Sequence, residues 1–488
     1  MKNIIYFLIL FTSSISYAQI STISATDGSI LITPRGLLGK TNTRSTSNVA
    51  LGTDALKNNT SGSKNTANGV GSLYSNTSGN DNTANGFGSL YSNTVGFGNT
   101  ANGFNSLHRN TDGTHNTATG NNSLYNNSTG IWNTATGNNS LYSNSTGNNN
   151  VANGNNSLYN NNRGSCNTAN GNNSLFSNTT GWDNTANGCS SLYFNTTGFA
   201  NTANGVGSLQ LNTTGYTNTA NGAYSLSANT TGYANTANGH NSLISNTTGE
   251  RNTANGNGSL SSNTIGLNNT AIGISSLKKN IIGNNNTAIG VNADVSQGDL
   301  SNATAIGANA VANDDNKVRI GDASVTVIEG AVAYSYPSDK RLKENIKVNN
   351  YLGLNFINKL QPVSYNYISD KTKVKHDGFI AQDIEQIMKD LNLPFSGLKK
   401  SSDGMYSLAY SDFVMPMVNA IKEQQSTITD LIKKTTELAK SNSDLVKTTS
   451  DLTSFNSDLV KKNDSYESQI LKLATKLEEI EKRYPIRN

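Results

Sequence analysis

The chain has 488 residues and a formal net charge of +4. That length exceeds one compact domain on the usual scale of roughly 100–200 residues per domain. A charge so small points to neither nucleic acid nor a membrane surface as partner. Two cysteines, Cys166 and Cys189, fall at different positions of a long repeat. They read as incidental, because exported domains that depend on disulfides are cysteine-dense.

Residues 1–18 have the order of a secretory signal. Lys2 supplies the positive start, Ile4–Phe11 an apolar core, and Ser16-Tyr17-Ala18 a small-residue cleavage site. The apolar run is too short to cross a bilayer, and no later run is longer and as apolar. A secreted or cell-surface protein is expected, with no membrane span after signal removal. Residues 19–47 form an N-terminal segment.

Residues 48–315 repeat. Alanine recurs every 17 residues from Ala50 through Ala67 and Ala84 to Ala305, which makes sixteen units. Two glycine series (Gly52 to Gly307, Gly62 to Gly283) and a leucine series (Leu56 to Leu277) keep the same step. The unit reads Asn-Thr-Ala-Asn-Gly-x-x-Ser-Leu-x-x-Asn-Thr-x-Gly-x-x. A fixed short period means a solenoid. The spacing predicts a parallel β-roll with two short strands per coil, and both glycine series supply the positive φ of the turns. Ala and Leu point into a narrow core, and Asn and Thr stack as ladders. At about 4.8 Å per strand the rod would be roughly 75 Å long. One Ala and one Leu per coil make a thin core, which a parallel trimer sharing an apolar axis would thicken.

The turns carry Asn rather than regularly placed Asp, so the calcium-binding nonapeptide pattern is missing, and neither metal nor cofactor is expected. Tyr74, Tyr91, Tyr125, Tyr142 and Tyr159 follow the leucines on one side. They suit stacking on sugars or packing between subunits. Thr66, Thr83, Thr100, Thr117 and Thr134 form a row, but Asn and Ala flank each one, unlike the flat two-threonine array that ice binding needs. The late units Asn286–Gly290 and Ala303–Gly307 resemble the left-handed β-roll heads of trimeric autotransporter adhesins. Lys317–Ala333 resembles the neck that closes such a roll, so residues 316–337 are expected as neck. The resemblance implies a homotrimer, whose repeat serves either as a passive spacer or as the binder of a cell-surface glycan or protein.

At Ser338 the composition changes, and residues 338–420 are expected as a small α+β domain. Ser338-Asp339-Lys340-Arg341-Leu342-Lys343 places a hydroxyl and an amine within reach across a curved loop. A serine hydroxyl needs a base to become a nucleophile. A lysine serves once it is desolvated or crowded by another cation, and Lys340 and Arg341 stand beside it. Asn345-Ile346 reads as a strand, Leu354–Leu360 as a helix, and Pro362–Tyr367 as half of a strand pair. His376–Ile387 reads as the other half followed by a helix. Tyr406–Ser411 reads as a strand before a final helix through Met417–Glu423. His376 beside Asp377 offers a Ser–His alternative, although packing suits it better.

This ordered set resembles the endosialidase-type intramolecular chaperone family, the auto-processing domains at the ends of phage tail spikes and fibres. The resemblance covers about Ser338–Gln425. It implies a domain that trimerises, drives folding of the fibre before it, and then cuts the chain at its own first serine. The nucleophile falls on Ser338, the lysine on Lys343, and the scissile bond on Pro337–Ser338. Residues 421–488 form a heptad series from Ile421 and Gln424 to Leu477 and Ile480, which predicts a coiled coil. Asn442, Asn456 and Asn463 in one core row lean toward a dimer, so the trimer rests on the resemblance. The fold class expected is a mainly β, trimeric solenoid followed by an α+β chaperone domain and a coiled coil. Two functions remain open: a self-cleaving fibre, or an adhesin whose C-terminal domain stays attached as a clamp.

Overall fold

A computed structural model describes residues 48–332, 335–368, 370 and 372–484. The expected signal segment and residues 19–47 lie outside them. The chain divides into two compact units, with the boundary between Glu329 and Gly330.

In the first unit each coil contributes one three-residue strand, such as Thr185–Asn187 and Thr202–Asn204. The strands pair in parallel and in register, Thr185 with Thr202 and Ala186 with Ala203. Alanine turns inward and is fully buried, while Thr and Asn turn outward. Sixteen such strands are followed by Val318–Ile320, giving a sheet of seventeen. The expectation of two strands per coil is corrected. The Ser-Leu segment makes turns, and only the late pairs Asp294–Val295 and Val311–Ala312 form a second ladder.

Leucine is the reason. Leu175 sits at φ 50°, in the left-handed region, and its N–H donates to the carbonyl of Ser191 one coil on. The same conformation recurs at Leu158 and Leu192. A left-handed L-residue costs roughly 1–2 kcal/mol. Full burial of the leucine side chain, worth about 1.5–3 kcal/mol, offsets it.

The glycine expectation is half right. Gly171 does take a positive φ of 134°. Gly181, from the second series, does not; there a Cβ would fall onto the carbonyl oxygen of Gly198 in the next coil. The second series is glycine because backbones meet closely.

Two columns of buried asparagines fill what Ala and Leu leave. Asn178 Nδ2 donates to Asn161 Oδ1 at 2.7 Å and to the Gly181 carbonyl at 3.0 Å. Asn167 Nδ2 donates to Asn150 Oδ1 and, at 2.9 Å, to the same Gly181 carbonyl. A buried amide is tolerated when its donors and acceptors are paired. Among the described residues only Asn105 Oδ1 and Ser296 Oγ are buried side-chain polar atoms without a partner. The thin-core argument is corrected accordingly: one chain already buries its Ala and Leu, because amide ladders take the place of apolar bulk.

The aromatic row is continuous. Tyr74, Tyr91, His108, Tyr125, Tyr142, Tyr159, Phe176 and Tyr193 stack in sequence with ring centroids 4.7–5.2 Å apart. Each ring face inside the row covers another ring, so only edges point outward. At the far end of the sheet Arg319 stands in register with Ala305, and its Nε donates to the Gly321 carbonyl at 2.8 Å. A guanidinium in the alanine row ends the core. The sheet thus runs into the segment expected as neck. Residues 323–332 beyond it are exposed and without regular structure.

The second unit contains α1 (Leu354–Ile357), a hairpin of Val363–Tyr365 with His376–Gly378, and α2 (Ala381–Leu391). A second hairpin of Leu398–Lys400 with Tyr406–Leu408 precedes α3 (Val414–Arg483), a helix of 70 residues. Leu352, Phe356, Ile384, Phe395 and Phe413 form the core. The strand expected at Asn345-Ile346 is absent. Asn345 takes a left-handed φ of 54°, and the segment is exposed. The final helix begins at Val414 rather than at the 421 boundary, with Pro416 tolerated in its first turn. In the single chain the heptad leucines are uncovered; Leu445 is 66% exposed. Among the described residues no helix is long and apolar enough to cross a membrane.

Candidate functional site

The site is built by one turn. Asp339, extended at φ −64° and ψ 136°, caps a 3-10 turn over Lys340–Leu342 by accepting from the Arg341 N–H at 2.8 Å. The Arg341 guanidinium grips the same carboxylate, Nη2 to Oδ2 at 2.7 Å, and holds it below the usual carboxylate range. The turn closes when the Lys343 N–H donates to the Lys340 carbonyl at 3.1 Å. Ser338 and Lys343 then flank the turn, and Lys343 Nζ donates to Ser338 Oγ at 2.7 Å. Every residue from Pro337 to Lys343 is exposed.

One supporting argument from the sequence changes. Arg341 does not act as an unpaired cation crowding Lys343; its charge is paired with Asp339. His376 is placed elsewhere in function: its ring stacks on Tyr365 at 5.8 Å and meets Tyr367 edge-on at 5.1 Å. Asp377 accepts from Ser364 across the hairpin. That is packing, as its position beside Asp377 suggested. Cys166 and Cys189 are both free thiols.

Residues 338–393 match the family described as chaperone of endosialidase. The match begins on Ser338 itself, takes in α1, the first hairpin and α2, and leaves the solenoid and α3 outside it. No curated protein and no solved structure is significantly similar to the chain. The chaperone domain therefore follows a repeat that the match says nothing about.

Two features of the chaperone domain escape sequence reasoning. Glu423, on α3, accepts from the Leu354 N–H at 2.7 Å and so caps α1. Asn419 donates to the carbonyls of Asn349 and Leu352 at 3.0 and 3.1 Å. The long helix is thus bolted to the segment that follows the Ser–Lys turn. A Cβ at Gly353 would meet the Glu423 carboxylate, which would have to swing away from its place at α1. A shallow cavity of about 450 Å³ is lined by Tyr365, Tyr367, Phe379, Tyr406 and Tyr410. The Tyr365 hydroxyl is pushed up to about 12, chiefly by its hydrogen bond with Tyr367.

Proposed function

We propose that this is an exported homotrimeric fibre or spike protein. Its chaperone domain assembles three chains and then cuts each at Pro337–Ser338, acting on no other substrate. The observation that carries the reading is the 2.7 Å contact between Lys343 Nζ and Ser338 Oγ at the first residue of the family match. In the single chain the ammonium is solvated and donates to the hydroxyl. As a base it has to lose that proton, and close packing of three chains around the turn supplies the desolvation. Ser338 Oγ then passes its proton to Lys343 Nζ and attacks the Pro337 carbonyl carbon. The carbon–nitrogen bond breaks as the Ser338 nitrogen takes a proton, leaving a Pro337 ester on Oγ. Water hydrolyses the ester, and the C-terminal fragment begins at Ser338.

The chaperone role itself has a physical basis in the first unit. Its coils are alike, so a growing roll has many equivalent registers, and a domain that aligns three chains removes that choice. α3 supports the trimer by presenting an uncovered heptad row over its length, which wants partner helices. The test is the mass of the mature chain. We expect a fragment starting at Ser338 without added protease, an intact chain for Ser338→Ala, and slowed or abolished cutting for Lys343→Ala. Cleavage of the Ser338→Ala chain at the same bond overturns the assignment. In that case an adhesin with a permanent clamp becomes the reading, with a surface glycan or protein as ligand.

A further inference from the structure

The outward face of the main sheet is a lattice of two rows. Each strand reads Thr-Ala-Asn, and the alanine is buried, so Thr and Asn are neighbours on the surface with nothing between them. The rows are in register, Thr202 opposite Thr219 and Asn204 opposite Asn221. Neighbouring threonines are about 4.8 Å apart along the rod, and Thr and Asn about 6–7 Å apart across it. The threonine row runs from Thr66 to Thr304 with one interruption, Val151, which keeps the branched shape. The second row is Asn, with Thr119 and Thr136 in two coils, until Ile272. Neither row holds a charged residue over this span.

The two rows are unlike chemically. Asn187 Nδ2 donates to Asn204 Oδ1 at 2.8 Å, and Asn204 to Asn221 at 2.8 Å, so the amides are fixed by one another. One column of turn threonines commits its hydroxyls to the next coil, as Thr196 Oγ1 does to the Thr213 carbonyl at 3.0 Å. The strand threonines, such as Thr185 and Thr219, have no such partner. Their hydroxyls rotate freely to donate or accept, each beside a methyl group. The buried ladder beneath keeps coils at one spacing, with amide contacts of 2.7–2.9 Å from Asn76 to Asn280.

A discrete ligand finds little here. The face has no concavity, no charge and no exposed ring face, which sugars and peptides use. Between Thr66 and Ile272 a second copy of the face finds little apolar to bury against it, since Val151 is the one apolar residue in either row. What suits it is a ligand that is itself periodic and made of hydroxyl groups. In sequence the row looked unlike a two-threonine array because Asn and Ala flank each Thr, but every such Ala is buried, which leaves two regular outward rows with Asn in the second place; we propose that this Thr–Asn face of the solenoid adsorbs to ice, holding the ordered water of the crystal surface. Oxygen spacings across the basal and prism faces of hexagonal ice are of the size of this lattice. Water ordered between fixed donors and acceptors binds at small entropic cost.

The test uses the full chain and polycrystalline ice. The protein is expected to partition into a growing ice front and to suppress recrystallisation. Thr185→Tyr with Thr219→Tyr places two rings on the face without touching the core, and should abolish both effects. Thr197→Tyr, an exposed threonine in a turn, should leave them intact. All variants are checked for unchanged circular dichroism and melting. A wild-type chain excluded from ice overturns the proposal, as does activity that survives the face variants. Binding to crystalline cellulose or chitin in place of ice overturns it too. So does a change of oligomeric state in the face variants, which would assign the face to contacts between copies.

Discussion

Leu175 shows how far a residue type can be taken from its preference. Its backbone is left-handed and its side chain is fully buried. Met keeps an unbranched Cβ there, whereas Ile places a branch where the left-handed backbone has least room. Leu175→Ile is therefore expected to cost on the order of 1–3 kcal/mol more than Leu175→Met, read from urea midpoints of the two variants. Asp294 is a second residue out of type. It occupies the leucine register, buried, and accepts from the N–H groups of Val295 and Lys279. Burial nevertheless raises its carboxyl above the ordinary value. A raised folded value means the folded chain favours the protonated acid, so stability falls as pH rises from the unfolded toward the folded value. Asp294→Asn should melt higher than the parent at pH 7 and lose that advantage below pH ~4. The inward and outward sides of these residues were legible in the period of 17. The left-handed leucine was not, since nothing about leucine advertises it and the glycines offered a ready explanation for every turn.

At the scale of elements the asparagine columns matter most. Removing the side chain of Asn178 deprives Asn161 Oδ1 of its donor and Asn195 Nδ2 of its acceptor. Each stranded buried group costs about 1–3 kcal/mol, so Asn178→Ala is expected to lower stability by roughly 2–5 kcal/mol in a denaturant titration. A loss under 1 kcal/mol would mean that water replaces the ladder. Asn and Thr ladders were foreseen as a stacking rule; that they do the filling assigned to apolar side chains was not. Composition counts an amide as polar, whatever its partners. The helix register of α3 was equally plain, but its grip on α1 through Glu423 joins residues 69 apart, beyond any local pattern. If the proposed trimer is held by this heptad row, changing Leu438, Leu445 and Leu452 to Asp should give a monomer in a sedimentation experiment while leaving the helices of the chaperone domain in place.

For the whole molecule the sequence disclosed the order of its parts, and the Ser–Lys pair with it, because a repeat and a change of composition are one-dimensional facts. The turn that joins the pair depends on Asp339 acting as a cap, which the six residues alone do not single out. Removal of the chaperone domain after assembly should lock the product kinetically, since each coil contacts only its neighbours and many have to open before chains part. Cleaved trimers are expected to outlast Ser338→Ala trimers when both are held at one elevated temperature and trimer loss is followed on gels; equal rates would favour the clamp. The uniform coil has one more consequence. Since every step is made by the same ladders, length is decoupled from chemistry, and the roll works as a ruler graduated in units of about 4.8 Å. Gain or loss of whole 17-residue units would lengthen or shorten it by whole graduations. Reach could then drift between lineages while the surface presented at each mark, and the ends that terminate it, stayed the same.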